Sequence, residues 1–210
     1  MAEQLSKSEY SFSFLAGALY LPETAAVAVL MLANPDWDEV TRRAAADNLI
    51  RQRTKASRVR ILREIRYRLQ QLSPAELEFF CAANSRDQRQ LLFIALCQRF
   101  RFIREFVAEV LRPKALALNF QLRPTDYARF FDRKGAEAPE LEKLTDKSRA
   151  KIKQVLIRML AEAGIINSTA DLRIQRIVPS KSLARLVAKS NPNHLHFLLL
   201  SDADIRQLTT

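Results

Sequence analysis

The sequence predicts a mainly α protein, a helical bundle with a C-terminal winged-helix-like portion carrying one small β-hairpin. Three observations carry that reading. Apolar residues recur at helical spacing behind recognisable caps over most of the 210 residues. Only one stretch, residues 165–178, pairs short apolar runs across a polar turn as a hairpin would. The only glycines are Gly17, Gly135 and Gly164, too few for a phosphate-cradling loop or a dinucleotide fingerprint, each of which needs several glycines close together.

The elements follow in order. Pro22 opens ETAAVAVLMLA at the first-turn position proline prefers. Asp36 caps WDEVTRRAAADNLI, with Glu39 three residues on suggesting a capping box. Thr54 caps an Arg-rich helix reaching Leu72. Ser73-Pro74-Ala75-Glu76 combines a cap, a first-turn proline and a box glutamate. Ser85 and Gln88 repeat that logic for a long helix to about Leu111, ending before Pro113. Pro124 or Thr125 opens a shorter helix to about Phe131. Residues 134–144 (KGAEAPELEKL), with a Gly and a Pro among charges, are the best linker, so the expected parts are an N-terminal bundle (1–134) and a C-terminal portion (140–210). Thr145 or Asp146 starts a helix ending at Gly164. Ile165-Ile166, a polar turn at 167–171 and LRIQRIV before Pro179 form the hairpin, with partial alternation of faces. Ser180 caps a last short helix, and HLHFLLL reads equally as helix or strand.

Charge is unevenly placed along a chain whose net is +11. Residues 1–41 carry one base and six acids, whereas residues 42–72 carry ten bases and two acids. An Arg block beside an acidic head suits an anionic partner; a solvated helix surface, or pairing with the acids of the head, is the plainer alternative. Wound at 100° per residue, 54–72 gathers Ile61, Leu62, Ile65, Leu69 and Leu72 on one side and Arg60, Arg63 and Tyr67 roughly opposite. Arg51, Arg53, Lys55 and Arg58 precede them, and Glu64 is the helix's single acid. Arg suits phosphate because its planar fork donates two hydrogen bonds at once.

The helix 146–163 sorts more cleanly. Ile152, Val155, Leu156, Met159, Leu160 and Ala163 make an apolar stripe, with Lys147, Lys151, Gln154 and Arg158 opposite. A basic outer stripe followed by a hairpin is the order of a winged-helix module, in which that stripe enters the major groove. Gln154 and Arg158 are types that read base edges, while Lys147 and Lys151 suit phosphates. Arg173, Arg176 and Lys181 add charge where a wing would sit. An ordinary solvated lysine face is the competing reading, and the spacer 134–144 is long for the turn before a recognition helix.

Catalysis finds little support. His194 and His196 are the only histidines, and a pair without a third ligand nearby is more often structural than metal-binding. The expectation is no catalytic residue, no metal, no cofactor and no small-molecule ligand. Cys81 and Cys97 lie within apolar helical patterns and read as buried free thiols of a reducing compartment. MAEQLSKSEYSFSF has no signal-peptide pattern, and Pro22-Glu23-Thr24 breaks the apolar run 14–33 into pieces too short to span a membrane. A cytoplasmic, non-membrane protein is expected.

Two blocks carry a family resemblance. AGALYLPETAAVAVLML (16–32), and KSRAKIKQVLIRMLAEAGIINS (147–168) followed by LRIQRIV, resemble BrxA, a small component of the bacterial BREX phage-defence systems. With spacing and length also fitting, the resemblance covers nearly the whole chain. It implies a mostly helical, non-enzymatic, cytoplasmic protein encoded beside a methyltransferase and ATPase partners, and DNA binding through a basic surface. It also implies a fold likened to the antitermination protein NusB. The blocks hold no catalytic signature. The expected function is therefore binding of nucleic acid, foremost double-stranded DNA, alongside other BREX-type proteins. Two alternatives remain: a scaffold docking an acidic protein partner, and an RNA-binding protein, for which Tyr67 and Tyr127 offer little stacking surface.

Overall fold

Caps set where most helices begin. In the computed structural model, which describes residues 10–209, α1 (Leu21–Ala33) carries Pro22 in its first turn. The leader reading at the start of the chain falls, up to residue 9, outside the described residues. At α2 (Trp37–Ala46), Asp36 accepts from the Asp38 N–H, but Glu39 pairs with Arg42 at 2.6 Å and closes no box. Thr54 accepts from the Ser57 N–H to start α3 (Lys55–Leu69), a turn shorter than expected. Ser73 and Glu76 close the expected capping box of α4 (Pro74–Ala82).

The next stretch departs from the sequence reading. α5 (Ser85–Arg99) is capped by Asn84, which accepts from the N–H groups of Arg86 and Asp87, so Ser85 is inside the helix. Helix breaks at Phe100, which is extended (φ −112°, ψ 103°) and meets Phe14 edge-on at 5.2 Å. It resumes as α6 (Arg101–Phe106), widens into a π-helical turn (Val107–Leu111) and continues through Pro113 as α7 (Arg112–Leu116). Within the widened turn the Arg112 N–H donates to Val107 O, five residues back. That altered register lets the chain pass a proline, which cannot donate and would clash with the preceding turn.

α8 (Pro124–Glu137) runs two turns beyond Phe131, and α9 (Pro139–Glu142) follows at once. The 134–144 run is thus no open linker. Lys134 is buried and ion-paired with Glu105 (3.1 Å), Glu109 (2.8 Å) and Glu137 (3.1 Å), which anchors α8 to α6 and the π turn. α10 (Asp146–Glu162) starts at the Thr145 cap, and Gly164 follows with φ 75°. Ser180 caps α11 (Lys181–Ser190), HLHFLLL lies in and after a 3-10 helix (Pro192–Leu198), and α12 (Asp202–Thr209) ends the described chain.

Among the described residues no strand ladder forms. At the expected hairpin, Ile166 and Ile174 make one isolated antiparallel bridge and Gln121 with Arg173 another. The reason is competition from a third segment: Ile174 N–H donates to Phe120 O (2.7 Å) and Leu122 N–H to Leu172 O (3.2 Å), while Asn167 N–H donates to Arg173 O (2.9 Å) and Gln175 N–H to Ile165 O (2.8 Å). Residues 172–175 are shared between two neighbours instead of zipping to one.

The core centres on α5. Residues 91–97 are all fully buried, apolar on every side as a central helix must be, with α1, α3, α4, α6 and the 3-10 helix 192–198 packed around them. Cys97 is in this core and Cys81 is half-buried, both as free thiols. Edge-on ring contacts link Phe102 and Phe106 to Phe130 at 5.3 and 5.1 Å. No described helix is long and apolar enough to cross a membrane.

Candidate nucleic-acid interface

Both basic helices are held against one strap of chain. The 3-10 turn Ser13–Ala16 packs against α3 and α10, and the two residues after Gly17 are tied from each side. Arg68 of α3 donates to the carbonyls of Ala18 (3.0 Å) and Leu19 (2.8 Å). Glu162 of α10 accepts from the Leu19 N–H at 2.6 Å and pairs with Arg158 at 2.7 Å. Tyr20 then takes a left-handed conformation (φ 54°), and its hydroxyl lies over Gly17, 3.5 Å from where a β-carbon would be. Gly17 itself has φ 124°, a conformation that side chains rarely tolerate.

This turn is where the two faces meet. Burial pushes the Tyr20 phenol up, and three cations, Arg68, Arg158 and Arg60, act to pull it down. Arg68 of α3 lies 5.8 Å from the Tyr20 ring centroid, and Arg158 of α10 lines the surface beside it. A notch of about 410 Å³ opens there, walled by residues 18–23, with Gln52, Arg89, Arg158 and Glu162 around it. Arg58 fixes the Gln52 wall by donating to its backbone carbonyl at 2.8 Å.

The remaining expected site residues distribute as follows. Arg51, Arg53, Lys55, Arg60 and Arg63 are exposed, and their side chains make no hydrogen bond or ion pair among the described residues. On α10 the outer stripe Lys147, Lys151, Gln154 and Arg158 is exposed, and its six apolar counterparts are buried. Lys151 donates to Gln154 at 3.1 Å, pre-setting that amide. Arg173, Arg176 and Lys181 are exposed too. No direct bond joins them to the notch: Arg176 acts on Asp204 near α12, and Lys181 opens α11 beside Asp87, which accepts from Ser180 at 2.9 Å.

Other groups are not where an exposed binding face would need them. Arg68, one of the ten bases of the Arg block, is wholly buried. Tyr127 is 6 % exposed, and Tyr67 is half-buried beneath the Arg99 guanidinium at 4.8 Å, so neither offers a free ring. His196 bonds Asp202 at 2.7 Å, and His194 stacks on Phe197 at 5.7 Å. Among the described residues no three His, Cys, Asp or Glu side chains are grouped to hold a metal.

A protein-family model described as BrxA matches residues 8–191. The chain belongs to the BrxA family. Two relatives carry the description "BREX protein BrxA". One, from Escherichia coli O9:H4 (strain HS), is 26 % identical over 163 residues, covering 78 % of this chain and 76 % of the relative. The other, from Bacillus cereus (strain H3081.97), is 24 % identical over 139 residues, covering 66 % and 70 %. A solved structure described as an uncharacterized protein from Magnetospirillum magneticum shares the fold, with TM-score 0.74, 20 % identity and coverage of 91 % of this chain and 98 % of that one. The BrxA match spans the strap, the notch and both basic helices.

Sequence reasoning passed over most of the notch, including Tyr20, Gln52, Arg89 and Glu162. Arg89 left a signal. It is a cation in the polar start of a helix whose residues 91–97 are all apolar, so it had to face outward. Tyr20 and Gln52 left none, because a left-handed turn and a carbonyl contact six residues away are not local patterns.

Proposed function

We propose that this chain is a non-enzymatic, nucleic-acid-binding component of a bacterial BREX phage-defence system, acting with other proteins of that system and taking double-stranded DNA as its ligand. Membership of the BrxA family and the printed descriptions of the two relatives support the defence assignment. One observation supports DNA: Arg51, Arg53, Lys55, Arg60 and Arg63, five exposed bases on and just before α3, lack any acid partner among the described residues. Exposed guanidinium and ammonium groups without acid partners are ready for phosphates without first breaking ion pairs.

In this reading the N-terminal bundle (1–134) and the C-terminal portion (140–210) each lend one basic helix. Residues 147 to 158 of α10 span about 16 Å, a length suited to lying along a major groove. Arg173, Arg176 and Lys181, around the bridged segment 172–175, would touch flanking backbone as a wing does. The test is anisotropy of a labelled 30-mer duplex across a salt series, with single-stranded DNA and RNA as competitors. Neutralising about five phosphates gives a log–log slope near −4.5, with duplex the best competitor. A flat salt response, or RNA displacing duplex at lower concentration, would overturn the DNA assignment.

A further inference from the structure

The notch at the strap differs from the outward faces around it. It is concave where they are convex, and its wall is apolar: Leu19, Leu21 and Pro22 with the Tyr20 ring. Its cations come from different helices. Arg89 of α5 is exposed and makes no hydrogen bond or ion pair among the described residues, while Arg158 reaches in from α10. The buried Arg68 guanidinium lies over one face of the Tyr20 ring, 5.8 Å from its centroid. Two acids also line it. Glu162 is already engaged by Arg158 and the Leu19 N–H, which leaves Glu23 as the one carboxylate at the rim with no such engagement. The left-handed Tyr20 is a strained conformation for a side chain, of a kind that gathers at binding sites.

A base inside an intact duplex cannot enter such a notch, because stacking and pairing hold it in the helix. An unpaired nucleotide can. We infer that the notch takes one unpaired nucleotide of the bound nucleic acid, its phosphate on Arg89 and Arg158 and its base against the Leu19–Pro22 wall and the Tyr20 ring. Its size, about 410 Å³, is within the range of small-ligand sites. An apolar and aromatic wall recognises a base by its face, whatever its identity. Gln52 and Glu23 add an amide and a carboxylate able to bond a base edge. This inference rests on the nucleic-acid reading above and adds to it a preference for nucleic acid with a nucleotide out of the stack.

The experiment compares dissociation constants for two labelled 30-mer duplexes, one fully paired and one with a single central unpaired nucleotide, on the wild-type chain and on Arg89→Ala. Arg89 is exposed and unpaired among the described residues, so its removal leaves the fold intact; equal thermal midpoints verify this. The expected result is binding of the bulged duplex about five-fold tighter or more, with Arg89→Ala bringing the two within about two-fold because it weakens the bulged duplex more than the paired one. Equal affinity of the wild type for both duplexes, with the steep salt slope intact, would overturn the notch and leave the DNA assignment standing. A bulge preference that survives in Arg89→Ala would also overturn it, since the preference would then arise from DNA flexibility elsewhere on the surface. Binding of neither duplex would remove the DNA reading and the notch together.

Discussion

Arg68 is where a single change should cost most. Its side chain is wholly buried, and Nη1 holds the carbonyls of Ala18 and Leu19. Glu64 beside it is also buried, with one carboxylate oxygen unpartnered. Burial pulls the guanidinium down to about 10, against the opposing pull of Glu64, Tyr20 and Glu162, so it remains a cation at neutral pH. Arg68→Met would leave two carbonyls without a donor and remove the cation nearest the buried Glu64 side chain on its own helix. Arg68 and Glu64 make no direct ion pair, so the cost comes mainly from the two stranded carbonyls, at about 1–3 kcal/mol each and about 3–5 kcal/mol in all. At about 2–4 °C per kcal/mol for a chain of this size, the midpoint should fall by about 6–20 °C. Thermal melts followed by circular dichroism at pH 7 read this directly. The double variant Arg68→Met/Glu64→Leu should recover only part of the loss, since it removes the buried Glu64 carboxyl but still leaves both carbonyls without a donor. A single variant within about 2 °C of wild type, or a double variant no more stable than the single, would refute the reasoning.

Three smaller perturbations follow from the same geometry. Ser201 donates its hydroxyl to Asp204 and accepts from the Asp204 N–H at the start of α12, so Ser201→Ala should cost about 1 kcal/mol, measured by urea denaturation with an unchanged m-value. Gly164→Ala places a β-carbon in open space but at φ 75°, so it should cost about 1 kcal/mol of backbone strain alone; a loss twice that size would mean a hidden clash. Burial pushes the Glu105 carboxyl up, but hydrogen bonds from Tyr10, Arg101 and Lys134 outweigh it and hold the group below its ordinary 4.5. In that window the unfolded chain binds the extra proton, so this stabilisation is full above the ordinary value and fades as pH falls through the depressed one. Glu105→Gln should therefore flatten the loss of stability below pH 4.5, seen in urea midpoints taken from pH 7 downward.

What could be read in the sequence was local. The α10 stripe is legible because six apolar residues at helical spacing must share a side, and Ile152, Val155, Leu156, Met159, Leu160 and Ala163 are all buried. The Thr54, Ser73, Thr145 and Ser180 caps are equally local. α12 leaves only a weak local signal, Ser201 and Asp204 at capping-box spacing with Asp where Glu or Gln is usual. The break at Phe100 carries no Gly or Pro; a ring contact with Phe14, 86 residues earlier, sets it. Arg68 counts in sequence only as one base of the Arg block, because its carbonyl partners come from a segment 50 residues before it. The notch draws on residues 18–23, 52, 89, 158 and 162, and only the packing of α3, α5 and α10 around the strap brings them together.

The measurement that bears most directly on the DNA-binding assignment is charge reversal on the exposed face of α3. Arg60 and Arg63 are exposed and unpaired among the described residues, so Arg60→Glu/Arg63→Glu should keep the thermal midpoint within about 2 °C, as surface changes away from packed features do. Duplex affinity at 100 mM salt should fall by more than about a hundred-fold, with the salt slope reduced by about two. A folded double variant that binds duplex as tightly as wild type, with the same slope, would contradict the assignment of this face to DNA.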